Sequence, residues 1–345
     1  MKQENNISIL IIYTGGTIGM VKNPATGSLT PFDFEHILKQ VPELKKFGYK
    51  LDTLTFNPII DSSNLEPKFW VKLVNIIADN YEKYNGFVIL HGTDTMAYSA
   101  SALSFMLENQ NKPVVFTGSQ LPVGAIRTDG KENLITAIEI AASQKNGHSI
   151  VPEVCIYFEN QLFRGNRTTK HNADYFDAFK SENYPVLADV GINIKFNYSF
   201  IHCPIEKRKL KTHTKFDDNI AILKIFPGIN ENVVDSILNT KNLRAVVMET
   251  YGSGNAPTSK WFIEKIKNVI DKGIIIINVT QCQAGNVDMG KYETSIDLFK
   301  AGVVNGYDIT TEAAITKIML LLGQDLTNEK IIKNLKKSIS GEINL

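Results

Sequence analysis

Cysteine is scarce in this chain of 345 residues: Cys155, Cys203 and Cys282 are three, odd in number and far apart. Such a set argues against the disulfide framework that staples small secreted domains. A dominant charge is also missing, since 37 Lys and Arg stand against 36 Asp and Glu, a net +1. That balance gives no global attraction to nucleic acid or to an acidic membrane surface. No apolar run reaches the roughly 20 residues that span a bilayer. The start, polar and then a short apolar strand, lacks the apolar stretch and small-residue cleavage site of a secretory leader. The six histidines are scattered, with no His/Cys cluster at metal-ligand spacing. Internal repeats and low-complexity tracts are missing too. These absences leave a cytoplasmic protein with no nucleic-acid or membrane partner as the expectation.

What is present is an ordinary globular composition, 43% hydrophobic, on a chain long enough for two domains. Apolar, β-branched runs at Ile7–Tyr13, Phe87–His91, Val114–Thr117 and Val154–Phe158 read as strands. Helical spacing at Pro67–Tyr81, Thr95–Leu107 and Lys131–Ser143 separates them, and Phe34–Lys39 reads as a short helix. Alternation of this kind predicts a mostly parallel sheet flanked by helices. The pattern breaks between Phe196 and Phe216, where Asn197–Cys203 reads as an outlying strand and Lys207-Arg208-Lys209-Leu210-Lys211 as a solvated basic stretch. It resumes with strands at Ile220–Ile225, Ala245–Glu249 and Ile274–Val279 and helices at Asn230–Leu238, Lys260–Lys272 and Glu312–Leu322. The expectation is an α/β protein with a large N-terminal domain at 1–196, a linker at 197–216 and a smaller C-terminal α/β domain at 217–345.

Two strand ends carry the chemistry. Ile11-Ile12-Tyr13-Thr14-Gly15-Gly16-Thr17 and Val88-Ile89-Leu90-His91-Gly92-Thr93-Asp94 each stop at glycine and then present a threonine. In open α/β sheets the carboxyl ends of the strands are where ligands bind. A threonine hydroxyl is a weak nucleophile and needs a positioned base. Thr93 and Asp94 offer a proton path or a helix cap, and Lys170, in Arg164-Gly165-Asn166-Arg167-Thr168-Thr169-Lys170, offers a cation that could sit beside them. Asp61-Ser62-Ser63-Asn64 supplies hydroxyls and backbone N–H groups for a carboxylate, and Thr117-Gly118-Ser119-Gln120 could meet a substrate amide through its backbone. The segment 20–31, with Pro24, Gly27 and Pro31, reads as a loop over Thr17.

With these residues in hand the chain resembles the bacterial-type L-asparaginase family, most closely its cytosolic type I branch. Tyr13 to Gly19, Asp61 to Ser63, His91 to Met96, Thr117 to Gln120, Arg164 to Lys170 and Tyr251-Gly252-Ser253-Gly254-Asn255-Ala256-Pro257 match in order along nearly the whole chain. The resemblance implies that Thr17 attacks the side-chain amide of L-asparagine and forms an acyl-enzyme. It implies that Thr93, Asp94 and Lys170 move protons, that Ser62 holds the α-carboxylate, and that Asp94 with Ser63 holds the α-ammonium. Thr93 and Ser119 are further substrate contacts on this reading. It also implies no metal or organic cofactor, and a homodimer or homotetramer in which Asn255 completes the neighbour's site.

The chain departs from that pattern twice. The segment 20–33 has no tyrosine where the family carries one against the nucleophile, leaving Thr26, Ser28 or nothing in its place. Glu249-Thr250 stands before Tyr251 where type I members with a regulatory asparagine pocket carry arginine, so that regulation is expected to be lost or altered. A broader glutaminase-asparaginase and an ammonia-supplying amidotransferase subunit are the alternatives. The early first strand, which leaves little room for an additional N-terminal domain, favours a free-standing enzyme over the latter. A phosphate-binding turn is disfavoured, because Gly15-Gly16-Thr17-Ile18-Gly19 fits neither nucleotide fingerprint.

Overall fold

Strands that carry apolar side chains on both faces must be covered on both faces. Ile9 to Ile12 and Phe87 to Leu90 meet that condition, and all are buried. The computed structural model describes residues 7–22, 29–31, 39–202, 208–290 and 293–345, which divide into two units, the first ending at Thr212 and the second starting at His213.

The first unit is built on an eight-stranded sheet. Its strands are β1 (Ser8–Tyr13), β2 (Lys50–Thr55), β3 (Gly86–Leu90), β4 (Val114–Thr117), β5 (Val154–Phe158), β6 (Gln161–Arg164), β7 (Ala188–Val190) and β8 (Ile194–Phe196). The order across the sheet is β8-β7-β6-β5-β4-β3-β1-β2. The five strands from β2 to β5 run parallel, and β6, β7 and β8 extend the sheet antiparallel. Helices α2 (Met96–Met106) and α3 (Gly130–Ala142) pack against it, and α1 (Pro67–Asn80) packs against α2. In α2 the small residues Ala97, Ser99, Ala100, Ser101 and Ala102 are all buried, so the helix lies close on its neighbours.

The second unit holds a four-stranded parallel sheet, β9 (Ile220–Lys224), β10 (Ala245–Thr250), β11 (Ile275–Thr280) and β12 (Val304–Asn305), in that order. Its helices are α4 (Glu231–Leu238), α5 (Lys260–Asp271), α6 (Glu293–Ala301), α7 (Thr311–Gly323) and α8 (Asn328–Leu335). Asn230 and Thr310 cap α4 and α7 by accepting the N–H groups of Val233 and Ala313. Lys317 of α7 is fully buried, 2.6 Å from the buried Glu342 carboxylate. Its ammonium also donates to the carbonyls of Leu335 and Lys337, while Glu342 accepts the N–H groups of Ile339 and Ser340.

The mostly parallel architecture agrees with the sequence reading; several details differ from it. Over its described part, Asn197–Cys203 is not a strand: Asn197 donates its N–H to Leu187, Phe200 donates back to Asn197, and the chain turns. The outlying strands are instead β7 and β8, just upstream. Residues 208–212 are not free linker either, because Lys211 and Thr212 pair antiparallel with Leu107 and Glu108. Apart from Lys39, the expected helix Phe34–Lys39 lies outside the described residues, as do Thr26, Ser28, Cys203 and Lys207.

Candidate active site

Parallel neighbours β1 and β3 end side by side, with Tyr13 opposite Leu90. Thr14 then donates both its N–H and its hydroxyl to the Leu90 carbonyl, at 3.0 and 2.9 Å. This anchors the turn that follows, in which Gly15 and Gly16 take φ of 138° and 94°. Side chains rarely adopt that region, and here they would not fit. A Cβ on Gly16 would stand 2.6 Å from the Gly92 backbone, and one on Gly92 would stand 2.4 Å from Ser62 Oγ. A Cβ on Gly15 would lie 2.1 Å from the Ile60 carbonyl oxygen. The three segments 15–17, 60–62 and 91–93 therefore nest backbone against backbone. Thr17, half-buried, opens a single 3-10 turn over Thr17–Gly19 at this junction.

Thr93 follows Gly92, is 8% exposed, and starts the short turn that leads into α2. Lys170, on the segment that follows β6, reaches it. The Lys170 ammonium lies 2.8 Å from Thr93 Oγ and 2.8 Å from Asp94 Oδ1. An ammonium only donates, so it orients both oxygens toward itself. The side chain of Lys170 is 18% exposed and that of Asp94 64%, so the cluster opens to solvent on the aspartate side. A buried support holds the lysine arm: Arg164 pairs with Glu153 at 2.6 Å and lies over the Tyr184 ring, and Thr168 donates to the Arg164 carbonyl.

The remaining predicted residues are placed less uniformly. Ser62 is buried beside Gly92, and its carbonyl accepts the Thr95 hydroxyl. Ser63 is exposed and donates its N–H and its hydroxyl to Asp61 Oδ1, which holds the Asp61 carboxyl below the usual carboxylate range. Ser119 is buried with its hydroxyl donated to the Leu121 carbonyl, so its side chain is already occupied. Asn255 belongs to the second unit, where its Oδ1 accepts the Thr294 hydroxyl. Glu249 is occupied as well, with Lys224 at 3.1 Å and the Thr311 hydroxyl at 2.8 Å.

Sequence reasoning named Gln120 only as part of the 117–120 turn, without a role for its side chain, and passed over Asp129. The Gln120 amide donates to the carbonyls of Ala173 and Tyr175, which turns its Oε1 toward Thr93 Oγ at 3.5 Å. Asp129, raised by burial, accepts the N–H groups of Gln120 and Leu121 and fixes that turn. The one signal available for either was a polar pair closing the Ser119 turn ahead of α3.

Known families match both units. The model of the asparaginase N-terminal domain matches residues 8–202, and that of the glutaminase/asparaginase C-terminal domain matches residues 219–335. The chain belongs to the asparaginase family. Within that family it is 42% identical to L-asparaginase 1 of Escherichia coli, over 97% of this chain and 98% of that one. It is 39% identical to a 60 kDa lysophospholipase of Mus musculus, covering 98% of this chain and 62% of that longer protein. The crystal structure of L-asparaginase I from Vibrio cholerae superposes with a TM-score of 0.88 at 39% identity, covering 98% of this chain and 99% of that one. The asparaginase fold thus places the two glycine-threonine turns at adjacent carboxyl ends of parallel strands, as expected from the sequence.

Proposed function

We propose that this asparaginase-family protein hydrolyses L-asparagine to L-aspartate and ammonia through an ester on Thr17. The observation that carries the reading is the Lys170 ammonium held 2.8 Å from both Thr93 Oγ and Asp94 Oδ1 beside the Gly15-Gly16-Thr17 turn. Thr17 Oγ attacks the side-chain amide carbon, and its proton passes to the leaving nitrogen as the C–N bond breaks. Water then attacks the ester carbonyl, and the proton it loses passes through the Thr93, Asp94 and Lys170 cluster to Thr17 Oγ as the ester C–O bond breaks and aspartate leaves. The Thr93 N–H serves the oxyanion in both halves, where a preorganised donor is worth most. Ser62 and neighbouring N–H groups take the α-carboxylate, and Asp94 takes the α-ammonium. Ser63 and Ser119 contribute backbone in this scheme, because both hydroxyls are committed elsewhere.

The reading extends to a cytoplasmic homodimer or homotetramer in which Asn255 serves a neighbouring subunit, with no metal or organic cofactor required. Glutamine is one methylene longer, a difference worth about 1–3 kcal/mol, so a measurable glutaminase activity is compatible with it. The test is ammonia release from L-asparagine and L-glutamine by the wild type, Thr17→Ala and Thr93→Ala. Release from asparagine that depends on both hydroxyls is expected. An unchanged rate for Thr17→Ala would remove the nucleophile assignment.

A further inference from the structure

His91 precedes the Gly92-Thr93 turn and is buried together with every group it bonds. Its Nδ1 lies 2.7 Å from the Gly92 carbonyl oxygen, and its Nε2 lies 2.9 Å from Ser99 Oγ of α2. Ser99 Oγ in turn accepts the indole N–H of Trp70 in α1 at 3.0 Å. Phe69 and Phe116 meet the imidazole at steep angles, with centroids 5.7 and 5.6 Å away.

The proton positions follow from what each group can do. A carbonyl oxygen only accepts, so Nδ1 must carry the hydrogen. Burial pushes the imidazole pKa down to about 4, so the ring is neutral and Nε2 is bare. Nε2 must then accept the Ser99 hydroxyl, whose oxygen is left to accept from Trp70. Every bond therefore points the same way, from indole to hydroxyl to imidazole to the Gly92 carbonyl. That carbonyl belongs to the peptide whose N–H is that of Thr93.

We propose that His91 is a positioning residue: the chain from Trp70 through Ser99 and His91 polarises and fixes the Gly92–Thr93 peptide, making its N–H a stronger and better-aimed donor to the oxyanion. An amide whose oxygen accepts a hydrogen bond donates more strongly through its nitrogen, and bonds aligned in one chain reinforce one another. The transition state gains from this more than the bound substrate does, because charge on the oxygen develops only there. The proposal rests on the asparaginase reading of the site, and one of its tests does not need activity.

That test is nitrogen NMR of histidine-labelled protein. The His91 proton is expected on Nδ1, with Nε2 unprotonated and the ring neutral at pH 6; a proton on Nε2 would overturn the chain. An inactive wild type would overturn the asparaginase reading but would not alter this result. The kinetic test compares His91→Leu with His91→Asn, whose amide nitrogen stands in for Nδ1. His91→Leu is expected to lower kcat about five- to tenfold with KM within about twofold, and His91→Asn to recover most of the loss. A kcat unchanged in His91→Leu, or no recovery in His91→Asn, would refute the role. Should His91→Leu fail to fold, Ser99→Ala leaves the ring in place. It is then expected to lower kcat about two- to fivefold at constant KM, and an unchanged kcat would refute the role equally.

Discussion

Both units present the carboxyl ends of parallel strands, yet the two edges are finished differently. At the end of β1 and β3 the glycines carry no side chains: Gly15, Gly16 and Gly92 let three backbone segments touch, and the Thr93 hydroxyl, the Asp94 carboxylate and the Lys170 ammonium meet beside them. At the end of β10 and β11 the edge is filled. Thr250 donates to Asn278 at 2.7 Å, Asn278 reaches the Gly254 carbonyl, and Glu249 binds Lys224 and Thr311. The first edge brings backbone and a few polar groups together at strand ends, whereas the second uses its polar side chains to hold its own loop. On the proposed function, the same sheet geometry serves as a reaction centre where glycine closes the strands and as a scaffold where hydrogen-bonding side chains do.

Breaking the chemical edge is expected to have the largest effect. Thr17→Ala and Thr93→Ala each leave under about a thousandth of the asparaginase rate, as loss of a nucleophile or a proton-transfer group does. Steady-state ammonia release checks this, with melting curves to confirm that the variants fold. Gly16→Ala attacks the packing instead of the chemistry. Its φ of 94° and a Cβ 2.6 Å from Gly92 predict at least about a hundredfold loss of kcat, since small misplacements of reacting groups are costly. Gly252→Ala, at φ 48° with its nearest neighbour 3.8 Å away, is the matched control. There only the backbone strain of about 1 kcal/mol is expected, seen in denaturant unfolding.

Smaller effects sharpen the same contrast. His91 titrates near 4 when folded and near 6.5 when unfolded. The stabilisation it contributes is therefore complete above 6.5. As the pH falls from 6.5 toward 4 the unfolded chain takes up a proton that the folded one refuses. Wild type is expected to lose about 3 kcal/mol more over that window than His91→Asn, a difference read by urea unfolding at stepped pH. At the filled edge, Thr250→Val keeps the shape but leaves the buried Asn278 oxygen without its donor, for a cost of about 1–3 kcal/mol in stability. Finally, because Glu249 is committed to Lys224 and Thr311 and would repel a carboxylate, saturation by asparagine is expected to be hyperbolic. A Hill coefficient well above one in the initial-rate curve would contradict it.

Much of this was legible because it depends on local sequence. β1, β3, β4 and β5 are two-faced apolar runs, and Pro67–Asn80 has helical spacing. The pairing of Thr93, Asp94 and Lys170 was open from the residues alone and became definite only through the family's motif order, since a span of 76 residues separates the aspartate from the lysine. β2 escaped notice because it lies at the edge of the sheet, with Lys50, Thr53 and Thr55 exposed. α8 was missed because only Ile331 and Leu335 are buried, too few to print a period. The hydrogen bonds of the Gln120 and His91 side chains were not legible for a different reason. Their roles are defined by which neighbouring atoms accept and which donate, and that information exists only once α1, α2 and the 171–178 loop have been brought together.

The ion pair between Lys317 and Glu342 bears on how the protein is made. While the ribosome is still extending α7, the lysine that belongs in its core has no counter-ion, because Leu335, Lys337 and Glu342 have yet to be synthesised. A charge that cannot be neutralised resists entering a dry interior. Closure of the second unit around the Lys317 side chain is therefore favoured only once Glu342 has cleared the exit tunnel and can meet it.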